Sequence, residues 1–413
     1  MDFFVLKLCW KNIWRNKRRT LLTINAIGFG VMALVGIYNY YDGFHEQVIH
    51  NVIRYQSGHL VIGFPGYQTK NQTSLFLKNP VNVEKWLSKR PEVKAMSERV
   101  IVQGLVSSAV GSANILFMGI EPKQERRVTR FAANVIKGKY IEPGKDKPIL
   151  LGKALSRLLK VDVGSKVVAL TQGVDGSIGN ELFHVAGIFE TQSDADKSLA
   201  FINIGDARTL LSLPPHAVHQ VSVVLRQETD LDPVYGDFQA AFPKGSHVEV
   251  MSWKQVQRPL MAMIELNKSA NRLLMIIILF VAAMGIANSI LMSIMERTRE
   301  FGVMMAIGTL KKEVIQMVVM ETMLLSGVGV LLGNLLGIGI TLYFNKYGFD
   351  LRWLTSQSIV VQGTIIQTIS YPTVRWANSV MITTCILSLS LVVSVIPIRH
   401  IAKLRAVEAL RAH

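Results

Sequence analysis

The sequence predicts a membrane protein with four transmembrane helices and one large mixed α/β domain inserted between the first and second of them. Four long windows of the 413-residue chain contain no Asp, Glu, Lys or Arg, although 18% of all residues are charged. Between the first two windows lies a long stretch of ordinary charge content. Its apolar residues form short runs separated by Gly, Pro and polar clusters, a pattern typical of strands and short helices.

The four charge-free windows cover residues 20–41, 273–295, 322–345 and 376–398. Each exceeds the ~20 residues that a helix needs to cross ~30 Å of hydrocarbon. Charges are absent because one at a helix centre costs about 2.5–3.5 kcal/mol on insertion scales. The first window is not predicted to be a cleaved signal peptide, since its apolar run exceeds the ~7–15 residues of a signal core and no small-residue cleavage site closes it.

Basic residues are unevenly distributed among the segments that flank these windows. They concentrate in the N-terminal segment (Lys7, Lys11, Arg15, Lys17, Arg18 and Arg19), after the second window (Arg297, Arg299, Lys311 and Lys312), and at the C-terminus (Arg399, Lys403, Arg405 and Arg411). The segment between the third and fourth windows contains only Lys346, Arg352 and Arg375. The positive-inside rule therefore predicts that both termini and the turn after the second helix lie in the cytoplasm, with the inserted domain outside. The net charge of +16 follows mostly from this bias, and no nucleic-acid-binding motif accompanies it.

Residues 2–18 are predicted to form an amphipathic helix in the membrane interface. Phe3, Leu6, Trp10, Ile13 and Trp14 recur at three- and four-residue steps, and basic residues occupy another face. The alternative is a plain basic flank that fixes topology. The tryptophan spacing favours the helix.

The inserted domain is predicted to be mixed α/β. Strands are expected at 59–64, 99–109, 114–120, 165–170, 181–189, 199–204, 219–225 and 247–251, and helices at 83–89, 124–136, 153–160, 205–212 and 231–241. Both ends of the domain return to the membrane. The central part is therefore expected to be inserted into a sheet formed by the flanks.

The third membrane window contains Gly329, Gly333 and Gly337 at four-residue spacing. Glycines on one helical face allow another helix to approach closely, so these three are predicted to form a packing face. The alternative is the ordinary tolerance of membrane helices for glycine.

The turn after the second membrane helix, residues 295–313, reads M-E-R-T-R-E-F-G-V-M-M-A-I-G-T-L-K-K-E. A merely solvated connector needs no apolar residues between its two charged clusters. The pattern therefore predicts docking into a groove of a partner protein, with charges at the rim. The candidate partner-binding residues are Arg297, Thr298, Arg299, Glu300, Phe301, Met304, Met305, Ile307 and Gly308.

This turn resembles the E-R-x-R-E-I-G-x-x-x-A-x-G signature of FtsX-like permeases, also called type VII ABC transporters. Residues 10–20 (WKNIWRNKRRT) resemble the N-terminal motif of that family, and residues 396–411 (IPIRHIAKLRAVEALR) resemble its C-terminal motif, with Ala406 in place of the usual proline. The resemblance runs nearly end to end. It implies a non-catalytic membrane subunit that works with a separate dimeric ABC ATPase, which binds ATP and Mg, and with a second permease chain, identical or paralogous.

Within the family, the inserted domain is similar to that of the lipoprotein-releasing LolC and LolE permeases. The similar segments are 118–122 (MGIEP), 149–155 (ILLGKAL), 163–167 (VGSKV) and 185–189 (VAGIF), followed by Asp194 and Asp196. The resemblance implies a membrane-proximal porter part and an inserted sabre part, placed near residues 117–213. In LolC a proline-containing hairpin hooks the periplasmic carrier. The matching stretch here, residues 172–180, has no proline, so carrier docking on this chain stays open.

Other classes of site lack support in the sequence. No G-x-x-x-x-G-K-[ST] phosphate loop occurs, and His45, His50 and His59 have no carboxylates at metal-ligand spacing. No nucleophile–base arrangement is apparent. Cys9 and Cys385 are predicted to lie at the cytoplasmic end and within the fourth helix, where they cannot pair.

The leading hypothesis is a permease subunit that extracts lipoproteins from the bacterial inner membrane for transfer towards the outer membrane. Acyl chains need an apolar cavity, for which Leu34, Tyr38, Ile277, Phe280 and Met284 are candidate lining residues, with lipid-facing or core packing as the alternative. Other hypotheses are a MacB-like exporter of small molecules or lipids with an adaptor, and an FtsX-like protein that controls a periplasmic hydrolase. The size of the outer domain speaks against the last of these.

The predicted organisation runs through nine segments. They are an interfacial helix at 1–19, membrane helices at 20–42, 272–295, 314–345 and 376–398, the outer domain at 43–271, the coupling turn at 296–313, an outer loop at 346–375 and a cytoplasmic tail at 399–413.

Overall fold

The computed structural model describes most of the chain. Described are Trp10, Lys11 and residues 13–70, 72–142, 144, 146–191, 195–243, 245–350, 360–361, 364–365 and 369–403, with backbone alone for Gln56, 360–361, 364–365 and 396–403. The predicted interfacial helix at 2–18 therefore lies partly outside the described residues, as do most of the outer loop and the tail from 404 onward. Asp194 also lies outside them.

The prediction of four membrane helices is confirmed. Within the part of the chain that the structure describes, four helices are long and apolar enough to cross a membrane. They are α1 (Lys17–Val52), α10 (Arg258–Ala306), α11 (Lys311–Tyr347) and α12 (Trp376–Lys403). All four extend beyond the charge-free windows, because such a window marks the part in hydrocarbon and a helix can continue into water.

The chain divides into two compact units. The membrane unit comprises Met1–His45, Ile264–Asp350 and Ile369–His413, and the outer unit comprises Glu46–Met263 and Leu351–Thr368. In the membrane unit, buried aliphatic residues from all four long helices form one apolar cluster. A two-stranded pair of β11 (Phe349–Asp350) with β14 (Ile369–Ser370) also belongs to this unit.

Polar contacts join α1 to α11 and α12 at the ends of these helices that lie away from the coupling turn. The Asn39 amide donates to Thr341 Oγ1 at 3.3 Å. The Asn378 amide donates to Asn39 Oδ1 at 3.2 Å and to Asp42 Oδ2 at 2.8 Å. Satisfying these groups within the bundle is favourable because unpaired polar groups in hydrocarbon are costly.

The outer unit is mixed α/β, as predicted. Its helices are α2 (Tyr67–Lys70), α3 (Val81–Ser88), α4 (Pro122–Val128), α5 (Lys153–Leu159), α6 (Ala195–Ser198), α7 (Ile204–Leu210), α8 (Leu231–Ala241) and α9 (Trp253–Val256). Its strands are β1 (Leu60–Gly63), β2 (Val93–Ser107), β3 (Ser112–Ile120), β4 (Val135–Gly138), β5 (Pro148–Gly152), β6 (Lys166–Gln172), β7 (Ile178–Phe189), β8 (Leu199–Asn203), β9 (Gln220–Leu225), β10 (Glu249–Ser252) and the short pair β12 (Val360–Val361) and β13 (Thr364–Ile365).

The long strand β2 belongs to two sheet regions. Its first half pairs with β9 in a flanking antiparallel sheet of order β10-β1-β9-β2. Its second half pairs with β3 and β6, and the pairings β3-β8, β8-β5, β5-β7 and β7-β6 close a ring of six strands. The strands from β3 to β8 are thus inserted into a sheet whose other strands come from the two flanks of the domain.

An aromatic and aliphatic core cluster packs against β3, β5, β7 and β8 of this ring. Phe131, Phe189 and Phe201 are fully buried and pack edge-on or tilted against one another, with ring centroids 4.6–5.6 Å apart. Such aromatic pairs stabilise a core beyond their buried area.

A buried ion pair lies where β2 passes from the flanking sheet into the ring. Arg99 donates from Nη2 to Glu125 Oε1 at 2.7 Å and from Nε to Oε2 at 3.2 Å, and both side chains are inaccessible to solvent. The Thr129 hydroxyl donates to the same carboxylate at 3.0 Å. A buried pair is tolerated when its groups are hydrogen-bonded in this way.

One secondary-structure prediction was wrong in the outer unit, and two of its strands were missed. The helix predicted at 124–136 is a short helix α4, a 3₁₀ turn at Phe131–Asn134 and the start of β4. The strands β4 and β5 were not predicted. β4 is an edge strand with a bulge, and β5 is a short apolar run that begins at a proline, so neither shows alternation in sequence.

Candidate coupling site

The turn between α10 and α11 is short and tightly closed. The Thr309 amide donates to Met304 O at 3.0 Å, and the Gly308 amide donates to Met305 O at 3.3 Å. These are the two hydrogen bonds that define a Schellman C-cap. Gly308 has a φ of +108°, which side-chain-bearing residues rarely adopt. The Glu313 carboxylate then accepts the Leu310 amide at 3.0 Å at the start of α11. Four residues therefore link two long helices with defined geometry.

Ion pairs connect the start of α1 to the end of α10. Arg15 Nη1 lies 2.8 Å from Glu300 Oε1, and Arg19 Nη1 lies 3.2 Å from Glu296 Oε2. The Asn16 amide also donates to Glu296, at 3.1 Å. If the end of α10 moves, these contacts must either break or move the start of α1 with it.

A second set of contacts connects α10 to α11. Arg297 is mostly buried and donates to Glu321 at 2.9 Å and to Glu300 at 3.1 Å, while its guanidinium lies 5.2 Å from the centre of the Phe301 ring. Such neutralised pairs are the form in which charges are tolerated next to hydrocarbon. The Thr298 hydroxyl bonds to the Ile294 carbonyl of its own helix.

The structure divides the residues predicted to bind a partner into two groups. Phe301 is only 1% exposed and packs in the apolar cluster of the membrane unit, and Met304 and Met305 are half-buried against the same cluster. Phe301, Arg297 and Thr298 are therefore engaged within the chain. The sequence places Phe301 among the candidate partner-binding residues, whereas the structure buries its ring within the chain.

The exposed face of the turn consists of other residues. Ile307 is 79% exposed, and Arg299, Val303 and Leu310 are also exposed. Arg299 and Val303 lie on α10, and Ile307 is the first residue after it. The three are spaced four residues apart, so they lie on one face. We call these four residues the exposed turn face. Sequence reasoning missed Val303 and Leu310, although the four-residue step from Arg299 to Ile307 was a usable signal.

The three glycines of α11 lie on the face that contacts α1. A Cβ atom at Gly329 would lie 2.9 Å from Ile27, one at Gly333 would lie 2.5 Å from Val31, and one at Gly337 would lie 3.0 Å from Val35. The absent side chains allow α1 and α11 to approach backbone to backbone.

The five candidate cavity residues do not share one environment. Leu34 is fully buried in the apolar cluster, so its side chain contributes to helix packing and not to an open wall. Tyr38 is half-buried, with its hydroxyl 3.5 Å from the Asn271 carbonyl and from the Met275 sulfur. Ile277, Phe280 and Met284 are exposed on α10 and form part of an apolar stripe.

Comparison with known families identifies the two parts of the chain. Residues 20–241, just over half of the chain, match the MacB-like periplasmic core domain, and residues 272–406 match the FtsX-like permease C-terminal family. The chain belongs to the FtsX-like permeases with a MacB-like periplasmic core domain. The resemblance seen in its motifs is thereby confirmed.

Curated relatives match this permease over most of its length. It is 25% identical to the lipoprotein-releasing system transmembrane protein LolC of Neisseria meningitidis, over 95% of this chain and 94% of that protein. It is 20% identical to LolE of Haemophilus influenzae, over 94% and 93% of the two chains. The macrolide export ATP-binding/permease protein MacB of Bdellovibrio bacteriovorus is 24% identical over 85% of this chain and 55% of that protein.

These relationships define the role of the permease at a coarse level. It is a permease subunit of an ABC transporter, embedded in the bacterial inner membrane. Its family implies an ABC ATPase as partner.

Proposed function

We propose that this permease extracts lipoproteins from the inner membrane for transfer towards the outer membrane, powered by ATP hydrolysis in a separate subunit. The observation that carries the proposal is the match to LolC and LolE over nearly the whole of each chain, outer domain included. In this assignment, two permease chains work with two ATPase chains. Both termini and the coupling turn lie in the cytoplasm, and the outer unit lies in the periplasm.

The exposed turn face is the proposed docking surface for the ATPase. A solvent-exposed apolar side chain such as Ile307, flanked by the charge of Arg299, has the composition of a small interface with a polar rim. The ion pairs behind it tie the turn to α1 and α11. A force applied to the turn therefore acts on α1, α10 and α11 together, because helices with packed and ion-paired ends move as rigid elements.

Charge reversal at Arg299 tests the docking surface with little damage to the fold. Arg299 is exposed, whereas reversal at Glu300 would also break its pairs with Arg15 and Arg297. We expect Arg299→Glu to lower co-purification of the ATPase and transport-coupled hydrolysis. If ATPase co-purification and transport-coupled hydrolysis both stayed at wild-type levels, Arg299 would not belong to the docking surface.

The proposed path for acyl chains follows the exposed stripe of α10 that contains Ile277, Phe280 and Met284, next to Tyr38 of α1. Photocrosslinking amino acids at Tyr38 and Met284 should capture triacylated lipoprotein in the complete complex. The same probe at Val380, an exposed residue of α12, is the control for non-specific capture from the membrane. Capture of lipoprotein at Val380 alone would contradict the proposed path.

A second candidate function is export of small molecules or lipids with an adaptor. The MacB match over 85% of this chain favours it. In the crosslinking experiment, capture of only free phospholipid or drug at Tyr38 and Met284 would move the assignment to this function.

Docking of a periplasmic carrier on the β6–β7 hairpin is disfavoured by the local contacts. The Val174 amide donates to the Leu211 carbonyl at 2.9 Å, and the Ser177 and Ser212 hydroxyls lie 3.1 Å apart. The hairpin turn is thus bonded to the segment after α7 and does not present a free hook. We propose that any carrier binds another part of the outer unit or the second permease chain.

A further inference from the structure

A polar cavity lies between α1, α10 and α11 next to the coupling turn. Its volume is ≈ 60 Å³, and a water needs ~10–15 Å³ on the same measure, so the cavity has room for a few waters. Most of its lining residues are polar or charged, and Arg19 of α1, Glu296 of α10 and Glu321 of α11 are among them. The three helices thus meet here around a space that suits water better than hydrocarbon.

Two of the lining residues carry buried polar atoms without a partner. Neither Arg19 Nη2 nor Ser326 Oγ has a hydrogen-bond partner among the described residues, and Ser326 is only 1% exposed. Buried polar atoms in native proteins are nearly always bonded to protein or to ordered water. Because both residues line the cavity, water within it is a source of partners for both atoms.

Six charged side chains of this region balance one another. They are Arg15, Arg19, Arg297, Glu296, Glu300 and Glu321. Arg297 pairs with both Glu300 and Glu321, whereas Arg19 is paired with Glu296. The Glu321 carboxylate also attracts Arg19 electrostatically, although the two form no ion pair in the part of the chain that the structure describes. Arg19 therefore has one partner on α10 and a second carboxylate at hand on α11.

The contact of α1 with α10 differs from its contact with α11. α11 approaches α1 closely through Gly329, Gly333 and Gly337, which interlocks the two helices. Near the turn, α10 instead meets α1 through polar groups, including the Thr23 and Ser289 hydroxyls at 2.7 Å. Beside these contacts, residues of α1 and α10 line a groove of ≈ 470 Å³. Hydrogen bonds can be exchanged for bonds to water at little net cost, so α10 is the neighbour against which α1 can shift.

We propose that Arg19 is a positioning residue for coupling, which exchanges Glu296 of α10 for Glu321 of α11 when α10 shifts against α1. Water in the cavity supplies hydrogen bonds to the guanidinium during the exchange. The carboxylate left behind is solvated, since Glu296 is 38% exposed and keeps its bond from the Asn16 amide. The force from the turn acts on all three helices, and this contact is where α1 and α10 change their relative position. The inference rests on the proposed docking of the ATPase at the turn.

Disulfides that fix α1 to one neighbour or the other test the shift directly. Thr23→Cys/Ser289→Cys links α1 to α10. Val35→Cys/Gly337→Cys links α1 to α11, because a Cβ at Gly337 would lie 3.0 Å from that of Val35. In the intact permease–ATPase complex, we expect oxidation of the first pair to abolish permease-dependent ATP hydrolysis until the disulfide is reduced. Oxidation of the second pair should leave hydrolysis at the rate of the reduced form.

Each pair is introduced into a chain whose Cys9 and Cys385 are replaced by Ser. Undiminished hydrolysis in the complex with α1 linked to α10 would overturn the proposal. So would loss of hydrolysis in both linked complexes, because α1 and α11 would then also have to move relative to each other. A failure of the docking proposal is seen separately, as undiminished co-purification of the ATPase with Arg299→Glu.

Substitutions of Arg19 test its role without a disulfide. Arg19→Gln should lower the maximal rate of permease-dependent hydrolysis by about fivefold, the effect of one ion pair, and leave the KM for ATP unchanged, because the proposed ATP site lies in the partner chain. Arg19→Lys should keep much of the rate, since it keeps the charge. Arg18→Gln is the matched control and should keep the wild-type rate, because Arg18 is exposed and is not among the residues that line the cavity. Equal rates for Arg19→Gln and Arg18→Gln would overturn the role of Arg19.

Discussion

At the scale of single residues, Gly333 has the least room for a side chain among the three glycines that face α1. A Cβ there would lie 2.5 Å from Val31 Cβ and 2.6 Å from the Gly28 carbonyl oxygen, both of them parts of α1 that cannot rotate away. Overpacking of this kind costs about 1–3 kcal/mol or more. Gly333→Ala should therefore lower the thermal unfolding midpoint of the purified complex by several degrees.

Gly327→Ala is the control for this prediction, since a Cβ at Gly327 meets nothing within 4 Å. It should leave the midpoint unchanged or raise it slightly, because alanine is the better helix former. Equal midpoints for the two variants would mean that α1 and α11 do not pack through this face.

His59 makes the stability of the outer unit depend on pH. Burial lowers the pKa of His59 from 6.5 to about 4, and its Nδ1 accepts the Leu225 amide at 3.1 Å, which requires the neutral ring. The unfolded chain therefore binds the proton more readily between pH 6.5 and about 4. The stabilisation is complete above pH 6.5 and is lost as the pH falls towards 4, by up to ~3 kcal/mol.

The measurement is the thermal unfolding midpoint of the complex at pH 7.5 and pH 5. His59→Asn keeps an acceptor for the Leu225 amide but cannot become charged, so its midpoint should fall less than that of the wild type. His219, whose pKa burial also lowers, contributes a decrease of the same sign in both proteins. An identical decrease in wild type and variant would show that His59 does not titrate in this range.

At the scale of elements, the sequence was sufficient for the membrane helices and for most strands. Exclusion of charge from hydrocarbon leaves a signal in every one of the four long helices. Strands such as β9 and β7 alternate or cluster apolar residues and were predicted. β5 was not predicted, because it is buried by β7 and β8, which flank it in the sheet but are distant in sequence.

The coupling turn shows the corresponding limit of sequence reasoning for a site. The apolar residues of this segment were visible in the sequence, but their division into buried and exposed sets was not. Phe301 is buried because it joins the cluster formed with α11 and α12, and Ile307 is exposed because the chain has already turned. Which side of a helix is covered depends on neighbours that composition does not reveal.

The pair Arg297–Glu321 should hold α10 to α11 next to the turn. The side chains are only 9% and 12% exposed, so removal of one partner leaves a buried charge, at a cost of about 3–5 kcal/mol. Arg297→Met should lower the free energy of unfolding in a detergent titration. The double variant Arg297→Met/Glu321→Leu should recover much of the loss.

An exposed pair provides the comparison for this prediction. Lys137 and Asp162 are each 58% exposed, and such pairs contribute about 0–1 kcal/mol. Lys137→Met should therefore be nearly neutral. A double variant at Arg297 and Glu321 that is less stable than either single variant would argue that each side chain stabilises the bundle independently.

At the scale of the whole molecule, the two units of the chain have different proposed roles. The membrane unit ends in a turn whose exposed face is free within the described chain and whose other face is bonded to α1 and α11. The outer unit is a closed ring set into a flanking sheet, with a buried ion pair where the two share β2. We infer that ATP-driven motion enters at the turn and is used by the outer unit on its cargo.

The most direct test of this account is Ile307→Asp, which places a charge on the exposed turn face. Ile178→Asp is the matched control, since Ile178 lies in the outer unit and is 81% exposed, against 79% for Ile307. The measurement is the amount of ATPase that co-purifies with the tagged permease, together with permease-dependent ATP hydrolysis. The account predicts that Ile307→Asp loses both and Ile178→Asp keeps both; wild-type values for Ile307→Asp would contradict it.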